Sequence, residues 1–291
     1  MQEITARKVA SGLMFGEGIR WRGQSLVLSD MLGRRVVEVD PYAGTVTTLL
    51  EVENQPNGLI VRPDGSLLIN SMFDRKLLTL KDGQVGEYCD LSAVATGYLG
   101  DIVDDGSGGY YVDDVGARVL HGEKPAPGRL IYVTADRSIR VALDQLAFAN
   151  GVVISPDGAR LYLAETMISA IKVYDIQAAG VLGAGRVVAD FSGESRIDGM
   201  TMDAEEGCWA CLLDRDRVTR VAVGGTRTHS VIVPDSEPIA CTIGGRSGRE
   251  IFITAIEALH GKNIFEEMMA KRVRANVWAA EIPFTKGQAR P

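Results

Sequence analysis

The chain has 291 residues, with 31 lysines and arginines against 38 aspartates and glutamates, giving a formal charge of −7. An acidic chain without a Lys/Arg cluster is unsuited to nucleic acid or an anionic membrane, and no uncharged apolar run approaches the ~18 residues of a membrane helix. Its 33 glycines among 46% apolar residues indicate many tight turns around a core rather than disorder.

The N-terminus, MQEITARKVASGL, lacks the apolar stretch of an export signal, so a cytoplasmic protein is expected. Residues 2–10 read as a strand. From Glu17, the segment EGIRWRGQSLVLSD opens a series of similar units. PNGLIVRPDGSLLINS (56–71) and ANGVVISPDGARLYLAE (149–165) align without a gap, each with Asn-Gly, an apolar run, Pro-Asp-Gly and an alternating strand. Weaker copies begin at Gly100, Asp198 and Ala240, so the starts are 40, 43, 50, 48 and 42 residues apart. That is the ~40–50-residue period of four-stranded propeller blades. Asp-Gly pairs supply the positive-φ residues of hairpin turns, and helical periodicity is nearly absent.

The expected fold is therefore all-β, a six-bladed propeller with four-stranded antiparallel blades forming a single domain over residues 1–291. Pairing of residues 2–10 with 275–284 in the last blade would close the ring and remove its free edges. Residues 256–274 interrupt the pattern. From Asn263, a candidate N-cap, Ile264, Phe265, Met268, Met269 and Arg272 have partial helical spacing. This predicts a helical insertion covering the last blade, with a lid or a subunit contact as the other uses. The oligomeric state is not readable.

Cys208 and Cys211 form a CxxC, but on a strand residues three apart point to opposite faces. Only His121, His229 and His260 are present, widely scattered. The four cysteines are read as buried free thiols rather than a disulfide framework or zinc site.

G-x-S-x-G, Walker and H-E-x-x-H motifs are missing, so candidate chemistry is positional. The first residue of each repeat enters the innermost strand, which lines a propeller's channel. Those residues are Glu17, Asn57, Gly100 (followed by Asp101), Asn150, Asp198 and Ala240. Converging carboxylates and carboxamides make a hard-oxygen set suited to Ca²⁺, Mg²⁺ or Mn²⁺, with water completing the shell. Asn57 can equally serve a turn backbone. Glu17, between two glycines, has no such local role.

The stretches GEGIRW, FANGVVISPDGARLYLAET, IDGMTMDAEEGCW and ACTIGGRSGREIFITA resemble the senescence marker protein/gluconolactonase/luciferin-regenerating enzyme family, over residues 12 to 284. The resemblance implies one divalent ion (Ca, Mg, Mn or Zn) held by Glu17, Asn150 and Asp198. It implies a lactone hydrolase in which the metal polarises the carbonyl and a carboxylate takes a proton from water. Asp198 is the implied base and Asp101 its rival; Asn57, Tyr98 and Asp101 are the expected substrate contacts. Two positions depart from the family pattern. Gly100-Asp101 stands where many relatives have Asn-Asp, and Tyr98 where sugar-lactone binders commonly have arginine. These changes point to a less hydroxylated lactone or ester. The alternatives are a propeller that binds a ligand or partner without catalysis, or a metal-dependent aryl ester or phosphoester hydrolase.

Overall fold

Short apolar runs separated by glycine-containing turns fold as up-and-down hairpins. In the computed structural model, which describes residues 1–286, they build six sheets of four or five strands. Blade 1 comprises Gly16–Arg22, Ser25–Asp30, Arg35–Asp40 and Thr45–Glu51. Blades 2 to 5 begin at the inner strands Pro56–Val61, Leu99–Asp104, Ala149–Ile154 and Ile197–Met202. Blade 6 runs Ser236–Gly244, Glu250–Glu257 and Ala275–Glu281, and its fourth strand is Arg7–Leu13 from the other end of the chain. The six inner strands touch in cyclic order, the last against the first. The chain is a six-bladed β-propeller.

Ring closure differs from expectation in one respect. Only Arg7–Leu13 pairs with Ala275–Glu281. Gln2–Thr5 runs parallel to the outer strand Arg227–Ile232 and gives blade 5 a fifth strand. The chain changes blades at Ala6, which is buried and donates its amide to Ile232 O at 2.9 Å. One N-terminal segment thus covers two blade edges that would otherwise lie open.

The core lies between blades, because alternate residues of a strand face opposite ways. Leu59 packs with Val27 and Val36 of blade 1, whereas Ile60 packs with Leu99 and Ile102 of blade 3. Val152 and Val153 divide in the same manner between blades 3 and 5. Cys208 faces blade 4 and Cys211 faces blade 6, as the strand spacing requires. All four cysteines are buried and free. Each aliphatic side chain so buried contributes about 1.5–3 kcal/mol.

The insertion is shorter than expected. Ile256 and Glu257 still belong to a strand, and the helix is Ile264–Met269, capped by Asn263 Oδ1, which accepts from the amides of Phe265 and Glu266. Arg272 lies beyond the helix and pairs with Glu267 at 2.6 Å. Among the described residues no helix is long and apolar enough to cross a membrane.

The inner strands approach so closely that four blades have no room for a side chain beside the channel. A Cβ on Gly18, Gly58, Gly151 or Gly199 would lie 2.7, 2.7, 2.7 or 2.8 Å from backbone atoms of the next blade. Gly86, on an outer strand, meets only Thr79 Oγ1 at 3.4 Å. Gly58→Ala is therefore expected to destabilise the fold by about 1–3 kcal/mol or more through overpacking. Gly86→Ala should be neutral or slightly stabilising, because it removes only glycine's backbone entropy. Thermal melting of the two variants separates them; equal melting temperatures would contradict the close-approach account.

Candidate functional site

The entry residues reach the channel because pairing breaks at the start of every inner strand. The register shifts between Glu17 and Arg20, Pro56 and Leu59, Leu99 and Ile102, Ala149 and Val152, Ile197 and Met200, and Pro238 and Ala240. Such bulges redirect side chains out of the ladder. In four blades the loop leading into the strand is held by a carboxylate at or just after the end of the second strand. Asp30 accepts from the amides of Met14 and Phe15, Asp114 from Thr96 and Gly97, Glu165 from Ala147, and Asp214 from Arg196.

Glu17, Asn57, Asn150 and Asp198 consequently share the wall of one open cavity. Asp113, Thr166 and Arg196 complete its polar lining, and Tyr98 and Gly100 also face it. The rest is apolar, including Phe15, Met31, Met72 and Phe148, together with Phe265 and Met268 from the helix of blade 6. Phe265 stands against Phe148, their ring centres 6.4 Å apart. The helix thus forms part of the cavity wall as well as packing on the core.

Two expected residues lie elsewhere. Asp101 does not line the cavity: its Oδ1 accepts from Arg20 Nη2 at 2.9 Å and from the Ile102 amide at 2.8 Å. Its side chain is committed to a buried ion pair. Ala240, the sixth entry, packs against Gly199. Tyr98 is buried, with its hydroxyl against His121 Nδ1 and its ring 4.9 Å from that of Phe73. Burial pushes its phenol up to about 12.

Asn150 donates Nδ2 to Thr166 Oγ1 at 3.2 Å, and Thr166 in turn donates to Ile197 O at 2.8 Å. With its nitrogen so fixed, the oxygen of the carboxamide is the end offered to a cation. Asn57 has only soft contacts, its Nδ2 being 3.9 Å from Met31 Sδ and 3.8 Å from Met72 Sδ.

The acids carry an unbalanced charge. Glu17 is enclosed by protein with part of its surface open to the cavity. Burial, then the carboxylates of Asp198, Asp101 and Asp113, raise its pKa well above the usual range. Burial lifts Asp198 to about 7, against the opposing pull of Asn150 and Arg196. Burial likewise raises Asp113. The cation on the wall, Arg196, is already bound to Asp214 through Nη2 at 2.6 Å and Nε at 3.0 Å. Desolvated carboxylates without a counter-charge mark a functional site, and a divalent ion would supply the missing charge. The donor set fits such an ion: carboxylate and carboxamide oxygens from facing blades, with no soft ligand among them. Among the described residues no three His, Cys, Asp or Glu side chains are grouped so that they could hold a metal ion by themselves, so the Asn150 carboxamide and water would have to complete the shell of a hard cation.

Sequence reasoning missed Asp113, Thr166 and Arg196. Each lies outside the repeat-start frame, Asp113 and Thr166 at or after the second strand of a blade and Arg196 two residues before an entry. Only the YYVDD stretch carried a signal.

In the folded, cation-free chain Asp198 keeps its proton over a pH range where the unfolded chain has lost it. Its contribution to stability is complete below about pH 4, falls as pH rises, and is lost above about pH 7. Chelator-treated Asp198→Asn should therefore melt above chelator-treated wild type at pH 8, with the gap narrowing at pH 5. A gap independent of pH would contradict the buried, unbalanced carboxyl.

Comparison with known proteins agrees with this architecture. The SMP-30/Gluconolactonase/LRE-like region matches residues 15–257. A 6-deoxy-6-sulfogluconolactonase from Pseudomonas putida is 27% identical over 264 residues, covering 88% of each chain. An L-arabinolactonase from Azospirillum brasilense is 26% identical over 247 residues, 82% of this chain and 80% of its own. The crystal structure of a calcium-binding protein, regucalcin, from Agrobacterium tumefaciens superposes with a TM-score of 0.84 at 19% identity, over 100% of this chain and 98% of its own. The chain belongs to the SMP-30/gluconolactonase/LRE-like family.

Proposed function

We propose that this protein is a single-domain hydrolase that opens a lactone ring, assisted by a divalent cation held by Glu17, Asn150 and Asp198, and that its substrate is less hydroxylated than a sugar lactone. The observation that carries the reading is a set of buried, unbalanced oxygen donors within a cavity whose remaining wall is largely apolar. The lactonase names of two relatives support the reaction class. The four buried free thiols support a reducing compartment such as the cytoplasm.

When bound, the cation would draw electron density from the lactone carbonyl and stabilise the charge developing on its oxygen. The chain's own groups do the rest. Asp198 takes a proton from water as the water oxygen bonds to the carbonyl carbon. It returns that proton to the ring oxygen as the C–O bond breaks, and a hydroxy acid leaves. Asn150, fixed through Thr166, orients its carbonyl oxygen. Asp101 is not assigned the proton transfer, since Arg20 holds its carboxylate away from the cavity. Phe15, Met31, Phe148 and Phe265 take the apolar part of the substrate. Few wall groups are left to pair sugar hydroxyls, as Tyr98 and Arg196 already have partners.

Glu17→Ala and Asp198→Ala should each reduce kcat/KM by roughly 10²–10⁴, measured by acid release from a lactone panel. Unchanged turnover in both would overturn the catalytic reading. In the same assay an alkyl-substituted δ-lactone should exceed gluconolactone in kcat/KM by roughly tenfold or more. The opposite order would remove the apolar-substrate assignment while leaving the reaction intact.

A further inference from the structure

Four of the six inner strands deliver a polar side chain to the cavity, and blade 3 delivers none, because its entry residue is Gly100. The volume that a side chain there would fill is already taken. A Cβ on Gly100 would lie 2.2 Å from Asp113 Oδ1, 2.7 Å from its Oδ2 and 2.8 Å from its Cγ, and these are its three nearest neighbours. The backbone at Gly100 does not require glycine, since it is not among the residues of positive φ. Asp113 comes from the adjacent strand of the same blade, Tyr110–Asp114, is fully buried and lines the cavity. Its Oδ2 accepts from the Asp101 amide at 2.6 Å. Its Oδ1 makes no side-chain hydrogen bond and lies against Gly100, whose backbone amide, with that of Asp101, favours the charged form. A fully buried carboxylate with no paired cation is still costly, so a counter-ion is called for.

We propose that Asp113 is the blade 3 oxygen donor to the channel cation, reaching from the second strand through the gap that Gly100 leaves. The proposal rests on the cation reading above and adds a residue to it. The Asp101 amide holds Oδ2, which leaves Oδ1 for the ion or for a water of its shell. Glycine at 100 and aspartate at 113 are then a matched pair: a side chain at 100 and the Asp113 carboxylate cannot both be accommodated.

The test is Ca²⁺ and Mn²⁺ binding to the metal-free full-length chain by isothermal titration calorimetry, with thermal melting to verify folding. Asp113→Ala is expected to weaken binding by about 10–100-fold. Asp113→Asn, which keeps an acceptor for the Asp101 amide, should also weaken it. Gly100→Asn alone should bind no better than wild type, because its side chain meets the carboxylate, whereas combining it with Asp113→Ala should recover most of the affinity. Wild-type affinity in folded Asp113→Ala would overturn the assignment of Asp113 and leave the cation reading standing. A wild-type chain that binds neither ion would overturn both.

Discussion

The close approach of the six inner strands is the constraint on which the rest depends. Their backbones pass within van der Waals distance at Gly18, Gly58, Gly151 and Gly199, where even a methyl group would force the blades apart. With that position reduced to glycine, the residue just before it becomes the one that can carry a side chain to the channel. Glu17, Asn57, Asn150 and Asp198 occupy those places. Ring packing and site chemistry are therefore coupled. The tight ring that buries aliphatic side chains between blades also gathers acids where protein replaces much of their solvent.

That second consequence explains the electrostatics. Exposed carboxylates find lysines, as Glu87 on an outer strand does with Lys76 and Asp64 in a hairpin turn does with Lys81. Not all of those near the axis do. Arg20 neutralises Asp101 and Arg196 serves Asp214, which leaves Glu17, Asp113 and Asp198 without a cation of their own. Stability is given up locally at these unbalanced acids, while the surrounding interfaces supply the cohesion.

Much of this was legible in the sequence, and for an identifiable reason. The repeat frame places one residue per blade at the channel, so spacing alone locates Glu17, Asn57, Asn150 and Asp198. Asn263 is readable as a cap because its role is local, as is the division of Cys208 and Cys211 between two faces of one strand. What escapes the sequence depends on contacts between distant residues. The N-terminal strand divides at Ala6 because blade 5 offers it a free edge, which residues 2–10 cannot announce. Asp101 sits beside an entry position, yet its fate is settled by Arg20, 81 residues away. Asp113 lies thirteen positions after Gly100 in the chain and is its neighbour only through the hairpin.

The helix Ile264–Met269 belongs to the same division, since it lines the cavity without belonging to the inner ring. The oxygen donors come from strand starts held by capped loops and bulges, and their placement varies little once the ring is closed. The apolar wall instead draws on segments outside the ladder: Phe148 from a turn, Val119 and Leu120 from a short helical turn, and Phe265 and Met268 from the blade 6 insertion. Changes in such segments leave the inner strands undisturbed, so the shape and polarity of the cavity can alter without moving the acids. The acids are thereby tied to the rigid inner ring and the apolar wall to the segments above it.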